Sequence, residues 1–289
     1  MGFKELYVTA KEPFLSCSKG YGEAIIVLLG VPFDGTSTYK PGSRFAPEAI
    51  REASRNMESF SLKYRADVKD LGFCDLGDLD VVPGNVHETL RRLGNVMTEL
   101  IDDGKKPAVL GGEHTITLAI VERLKGVGVI QFDAHMDLRD DYAGQRVSHA
   151  TFARRLHERG VPLLQLGVRA CSREEYRYAR ENNVRFVSAY DIRDSLIYAI
   201  NTLRDFQEEV GRVYVTVDVD VLDPAFAPEV GSPEPEGLTM RELMKLLENC
   251  EGIVGFDVVE VTPTGGRTAF TAAKIAFELM FKLHGMPAD

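Results

Sequence analysis

Six residues able to ligate a metal sit in three short segments, each closing an apolar run. His114 ends Gly111-Gly112-Glu113-His114. Asp133, His135 and Asp137 alternate in Asp133-Ala134-His135-Met136-Asp137, and Asp218 and Asp220 stand two apart in Asp218-Val219-Asp220. A fourth apolar run, Phe256 to Val259, ends on Glu260. Spacings of i, i+2 and i+4 on extended backbone predict that each set points to one side. Carboxylates crowded on one side repel one another and resist ionising together unless a cation holds them. Oxygen and imidazole donors without a thiolate suit Mn²⁺, although zinc, cobalt, nickel or iron could use the same cage. Six ligands are too many for one open catalytic ion. Two ions roughly 3.5 Å apart use them sensibly, with carboxylates bridging and a shared water acidified for hydrolysis. Four aspartates then offset the formal charge of two divalent ions and leave room for a cationic substrate.

The elements that must position these residues follow from hydrophobic patterning. Strand-like runs at Ala24 to Leu29, Pro107 to Leu110, Gly128 to Phe132, Leu163 to Leu166, Val184 to Val187, Val213 to Val217 and Ile253 to Val259 alternate with longer amphipathic stretches. That alternation predicts an α/β fold, with a mainly parallel sheet and helices on both faces. Helices are expected over 47–58, 86–103, 117–123, 151–159, 173–182, 194–209, 239–249 and 268–283. Thr239 with Glu242 reads as a capping box, and Pro47 suits a first turn. No repeat or linker interrupts the pattern, so residues 1–289 are expected to form a single domain. Ligand sites in such sheets lie beyond the carboxyl ends of the strands, where all four segments fall.

Composition narrows the setting. A chain of 289 residues, 44% hydrophobic and 27% charged, can bury a large core. Its apolar runs are strand-length and predict no membrane span. Charged residues in the opening segment and Leu6 where a lipidation motif needs Ser or Thr argue against targeting signals. Cys17, Cys74, Cys171 and Cys250 are scattered without a C-x-x-C pair, so a reducing cytoplasm is the expected location. A formal charge of −10 disfavours nucleic acid and favours a small cationic partner.

The order and spelling of G-G-E-H, D-A-H-M-D and D-V-D-V-L-D-P make the chain resemble the ureohydrolase family of arginases and agmatinases, the archaeal-type agmatinases most of all. Gly30-Val31-Pro32-Phe33-Asp34-Gly35, Lys40-Pro41-Gly42-Ser43-Arg44-Phe45-Ala46-Pro47 and Gly231-Ser232-Pro233-Glu234-Pro235 extend the resemblance over residues 24 to 283. It implies a three-layer α/β/α domain of the arginase/deacetylase kind and two manganese ions that serve hydrolysis of a guanidine to urea and an amine. By resemblance, His114, Asp133, Asp137 and Asp218 hold one ion. His135, Asp133, Asp218 and Asp220 hold the other. His149, in Ser148-His149-Ala150-Thr151, matches the family's proton carrier near the leaving amine, a role suited to imidazole. Glu260 matches the carboxylate that grips the guanidinium, whose planar fork fits a bidentate pair. Asp257 is expected to support the site and Glu113 to hydrogen-bond without ligating. His87, His157 and His284 take structural readings. The resemblance also implies a homo-oligomer, a trimer or hexamer.

The substrate is less sharply written. Arg139 stands where arginases place an asparagine that reads the amino-acid end of arginine, which points to agmatine, with putrescine as product. Aminopropylagmatine, guanidinobutyrate and arginine are the alternatives. Asp140 or Asp141 could receive a distal ammonium, or both are solvated loop acids. Gly266 replaces an aspartate often found after the guanidinium carboxylate. A binuclear phosphoesterase is rejected because its D-x-H element should come first. A one-zinc deacetylase would keep fewer aspartates, and a silent descendant acting as a binding protein would have lost a ligand.

Overall fold

The computed structural model describes residues 2–287. Nine strands form one sheet: β1 (Val8–Thr9), β2 (Ile26–Val31), β5 (Phe73–Leu79), β6 (Lys106–Gly111), β7 (Gly128–Phe132), β8 (Leu163–Val168), β9 (Arg185–Ser188), β10 (Val213–Asp218) and β11 (Ile253–Val259). A two-residue pair, β3 (Phe60–Ser61) with β4 (Ala66–Asp67), stands apart. The sheet order is β1-β5-β2-β6-β11-β10-β7-β8-β9. All pairings are parallel except the edge pair β1–β5.

Successive residues of each strand serve opposite faces, and two hydrophobic cores result. Ile26, Leu28, Ile130, Phe132, Val213 and Val215 meet helices Ala46–Ser54, Leu196–Val210, Met240–Glu248 and Arg267–His284 on one side. Val27, Leu29, Val109, Val129 and Tyr214 meet helices Val86–Asp102, Ile116–Val121 and Phe152–Glu158 on the other. The predicted three-layer α/β/α arrangement is the one observed. Pro47 lies in the first turn of its helix, and the Thr239–Glu242 capping box forms.

The short strands β1, β3 and β4 and the helix Phe3–Tyr7 were not expected, and two larger differences have a physical cause. The strand β5 escaped the reading of apolar runs because Asp75, Gly77 and Asp78 interrupt it. Arg51, fully buried, resolves the conflict: it donates to Asp75 at 2.9 and 3.0 Å, to Asp78 at 2.6 Å and to the Gly77 carbonyl at 2.9 Å. Buried carboxylates are tolerable only when paired in this way. Gly77, at φ 99°, lets the edge strand approach so closely that a Cβ would lie 2.1 Å from the Thr9 carbonyl oxygen. The helix expected over 194–209 starts at Leu196, because Ser195 takes an extended conformation and caps it, and a separate short helix, Ala189–Asp194, precedes it. Among the described residues no helix is long and apolar enough to cross a membrane.

Candidate metal centre and active site

β6, β11, β10 and β7 are consecutive neighbours in the middle of the sheet, and the four segments follow their carboxyl ends. Convergence is therefore a property of sheet order. Gly112 makes one approach possible, since a Cβ there would lie 2.0 Å from the Phe33 carbonyl oxygen. The extended spacing expected for the acids holds only in part. Asp137 has φ 52°, a left-handed conformation that turns its carboxylate back toward His114. Asp220 lies in a 3₁₀ turn, Val219–Val221, whose backbone N–H at Asp220 donates to Asp218 Oδ1 at 2.8 Å. Strain of this kind concentrates where side chains must be aimed.

All six expected ligands come together. His114 Nδ1 lies 3.0 Å from Asp133, 3.5 Å from Asp137 and 3.5 Å from Asp218. His135 Nδ1 lies 2.9 Å from Asp220 and 3.5 Å from Asp133. Two groups, His114/Asp133/Asp137 and Asp133/His135/Asp220, each bring ligand atoms within 4.8 Å of one another, with Asp133 shared. The donor set fits a pair of divalent cations on a specific observation: His114 Nδ1 is buried without a hydrogen-bond partner, facing three carboxylate oxygens. The electrostatics of the cluster make the same demand for positive charge. Burial works against a charged His114, yet Asp133 and Asp218 outweigh it and hold the ring well above its ordinary pKa. Burial, and then the neighbouring carboxylates, push Asp137 and Asp218 well up.

One residue layer below the ligands, a polar row crosses four strands in register: Asp257 beside Thr216, Thr216 beside Gln131, Gln131 beside Gln165. All four side chains are fully buried. Gln165 donates to Gln131 at 2.8 Å, and Gln131 donates to Asp133 Oδ2 at 2.8 Å. Asp257 accepts from Thr117 at 2.8 Å, from Tyr214 at 2.9 Å and from Thr216. Thr216 has one hydrogen and gives it to Asp257, so its oxygen must accept from His114 Nε2 at 2.7 Å. That fixes Nε2 as the protonated nitrogen and leaves Nδ1 to ligate.

A second carboxylate–threonine–histidine chain orients His149. Glu113 Oε1 accepts from Thr36 Oγ1 at 2.6 Å, and that oxygen lies 3.3 Å from His149 Nδ1. By the same reasoning Nδ1 donates, and the other ring nitrogen is free to take a proton. Burial, followed by the positive fields of His135 and His114, lowers His149 to about 4. Glu260 adopts φ 67° and accepts from the His114 backbone N–H at 2.8 Å. Burial and then the charge of Glu113 raise it to about 8, so the carboxylate lacks a cation to pair with. His135, His149, Asp218, Asp220 and Glu260 line one cavity of about 390 Å³.

The family model described as "Arginase family" matches residues 24–282. The chain belongs to the arginase family of ureohydrolases. It is similar to the N(1)-aminopropylagmatine ureohydrolase of Thermococcus kodakarensis, 40% identical over 88% of this chain and 89% of that one. The agmatinase of Pyrococcus horikoshii is 39% identical, over 88% of this chain and 90% of the relative. Among solved structures, agmatine ureohydrolase of Thermoplasma volcanium superimposes with a TM-score of 0.86 at 35% identity, covering 94% of this chain and 96% of that one. With that arginase-family fold, the two candidate metal groups are consistent with the binuclear centre typical of the family.

In the loop after Asp137 of this arginase-family chain, the structure favours the second of the two readings left open for Asp140 and Asp141, that of loop acids. Asp140 pairs with Arg155 at 2.6 Å and Arg146 at 3.0 Å, and Asp141 accepts from the Gly144 backbone N–H at 2.9 Å. Neither lines the cavity; Arg139 and Tyr142 do. Arg139 lies 3.6 Å from Glu175 and 5.0 Å from the Tyr142 ring centroid, and Tyr142 meets His149 edge-on. Sequence reasoning missed Thr36, Gln131, Gln165 and Thr216. A signal existed for two of them: Gln131 and Thr216 are polar residues two before Asp133 and Asp218 in otherwise apolar strands, hence on the ligand face.

Proposed function

We propose that this arginase-family chain hydrolyses a guanidine carrying a cationic tail, agmatine, to urea and putrescine, with two manganese ions as its cofactor. The observation that carries the reading is one cavity holding a two-group ligand cluster, a carboxylate short of a cation and an oriented histidine. His114, Asp133, Asp137 and Asp218 would hold one ion, and His135, Asp133, Asp218 and Asp220 the other. When bound, the ions supply a water acidified enough to attack at neutral pH.

The chain's own residues do the rest. Glu260 pairs with the substrate guanidinium, and its backbone strain and hydrogen bond from His114 fix where the planar group sits. His149, neutral near pH 7, takes a proton and returns it to the leaving amine nitrogen, which departs poorly unprotonated. Glu113 and Thr36 hold that ring, while Tyr142 packs edge-on against it. The aminopropyl-extended guanidine is the second reading, favoured by similarity to the Thermococcus enzyme at an identity matching that of the Pyrococcus agmatinase. A cytoplasmic setting and assembly as a trimer or hexamer belong to the same proposal. Urea release with added Mn²⁺ from agmatine, aminopropylagmatine, guanidinobutyrate and arginine tests it. Agmatine is expected to give the highest kcat/KM; absence of urea from every guanidine overturns the reading.

A further inference from the structure

Six carboxylates line the cavity: Asp137, Asp218, Asp220, Glu260, Glu175 and Glu234. The three aspartates face the ligand cluster and Glu260 the guanidinium position. Glu175 is buried and occupied, accepting from the backbone N–H groups of Ser172 at 2.8 Å and Leu138 at 3.2 Å with Arg139 alongside. Glu234 differs from all of them. Its side chain is 42% exposed, and its nearest charged neighbour is His135 Nε2 at 3.8 Å, beyond hydrogen-bond range.

Its backbone, by contrast, is held firmly. The Arg169 guanidinium donates to the Glu234 carbonyl at 2.7 Å, to Pro235 at 2.9 Å and to Asp220 at 2.7 Å, tying this turn to the segment that carries a ligand. Glu234 N–H donates to the Ser232 carbonyl at 3.0 Å. A fixed backbone with an unpaired carboxylate at a cavity wall is a preorganised cation receptor. The Arg and Lys side chains of the lining have partners of their own: Arg139 faces Glu175, and Lys40 lies over the Tyr39 ring at 5.3 Å.

The geometry points to Glu234 as the residue that receives the distal ammonium of the substrate and so selects amine-tailed guanidines over neutral or acidic ones. This rests on the ureohydrolase reading above. Extended chain advances about 3.5 Å per three bonds, so the six bonds from guanidine carbon to terminal amine in agmatine reach about 7 Å. The turn that carries Glu234 begins beside Glu260: a Cβ on Gly231, three residues earlier, would lie 3.6 Å from Glu260 Oε2, and three residues span at most about 10 Å. The carboxylate takes the position the sequence offered to Asp140 or Asp141.

The test is Glu234→Gln in the full chain loaded with Mn²⁺, assayed for urea release from agmatine and from butylguanidine, which has the same chain without the amine. KM for agmatine should rise about tenfold with kcat little changed, as expected for a lost charged partner. The KM for butylguanidine should move by less than about twofold. In parallel, putrescine binding by calorimetry should weaken by about the same tenfold, a readout that needs no turnover. Equal shifts for both guanidines, or unchanged putrescine affinity, overturn the assignment. So does a fall in bound manganese, which would make Glu234 a support for His135 instead. Wild-type protein releasing no urea from any guanidine would sink the ureohydrolase reading itself, a result distinct from urea release with an indifferent Glu234.

Discussion

The floor of the cavity and its mouth are built on opposite plans. On the floor, each expected ligand follows a central strand, and a fully buried polar row braces Asp133 and His114 from the layer beneath. At the mouth, the loop of residues 138–148 and the turn at 231–236 carry half-exposed side chains: Asp140 pairs with Arg146 and Arg155, and Glu234 only approaches His135 at 3.8 Å. Register across four parallel strands leaves the floor one arrangement, because shifting any strand would displace its polar residue into an apolar core. No such constraint acts on the mouth. The proposed function thus assigns reaction chemistry to positions the sheet dictates, and substrate choice to loops that can vary without disturbing it.

Asp133→Asn has the largest expected effect, since Asp133 belongs to both ligand groups. Urea release should fall to background and bound manganese should drop at both positions, measured by metal analysis after gel filtration. Retained turnover would mean that the floor is not the centre of the chemistry. Next in size is His149→Ala, which removes the proposed proton carrier and leaves every expected ligand in place. Its kcat should fall by about 10²–10³-fold with metal content unchanged.

Thr216→Val probes the polar row. It removes the acceptor that holds His114 Nε2 and should weaken manganese binding about 10–100-fold, read by titration with a metal-sensitive dye. Unchanged affinity would reduce the row to a core feature with no bearing on the site.

That row also marks the limit of what sequence could show. The candidate ligands and Glu260 were legible because an acid or histidine closing an apolar run adds nothing to the core it adjoins, and strands β7 and β11 had the bounds their patterns predicted. Gln131, Gln165 and Thr216 were not, because their partners lie on other strands and depend on a sheet order that a linear pattern does not carry. The strand β5 stayed hidden for a related reason. Its two buried acids make sense only with Arg51, more than twenty residues earlier in the chain. Asp140 and Asp141 were legible only as two alternatives, ammonium receptor or loop acid, and Arg155 and the turn at Gly144 claim them. Loop acids have many local partners, and sequence alone does not say which one wins.

Asp140→Asn gives the smallest effect and the most direct test of the mouth. Arg155 first, then Arg146, hold the Asp140 carboxyl below the usual carboxylate range. A depressed carboxyl stabilises the fold above its unfolded pKa, about 3.9, and loses that contribution as pH falls through the folded value. With the Asp140 side chain 47% exposed, solvent screens the pair, and the whole contribution is about 1 kcal/mol or less. Thermal melting of Asp140→Asn should therefore lie no more than about 4 °C below wild type at pH 7, with the gap closing toward pH 3. KM for agmatine should stay within about twofold, because Asp140 points away from the cavity and toward Arg155. A KM rise confined to amine-tailed guanidines would move the ammonium receptor from the turn at Glu234 to this loop. A rise shared with butylguanidine would show instead that the loop shapes the cavity through Arg139 and Tyr142.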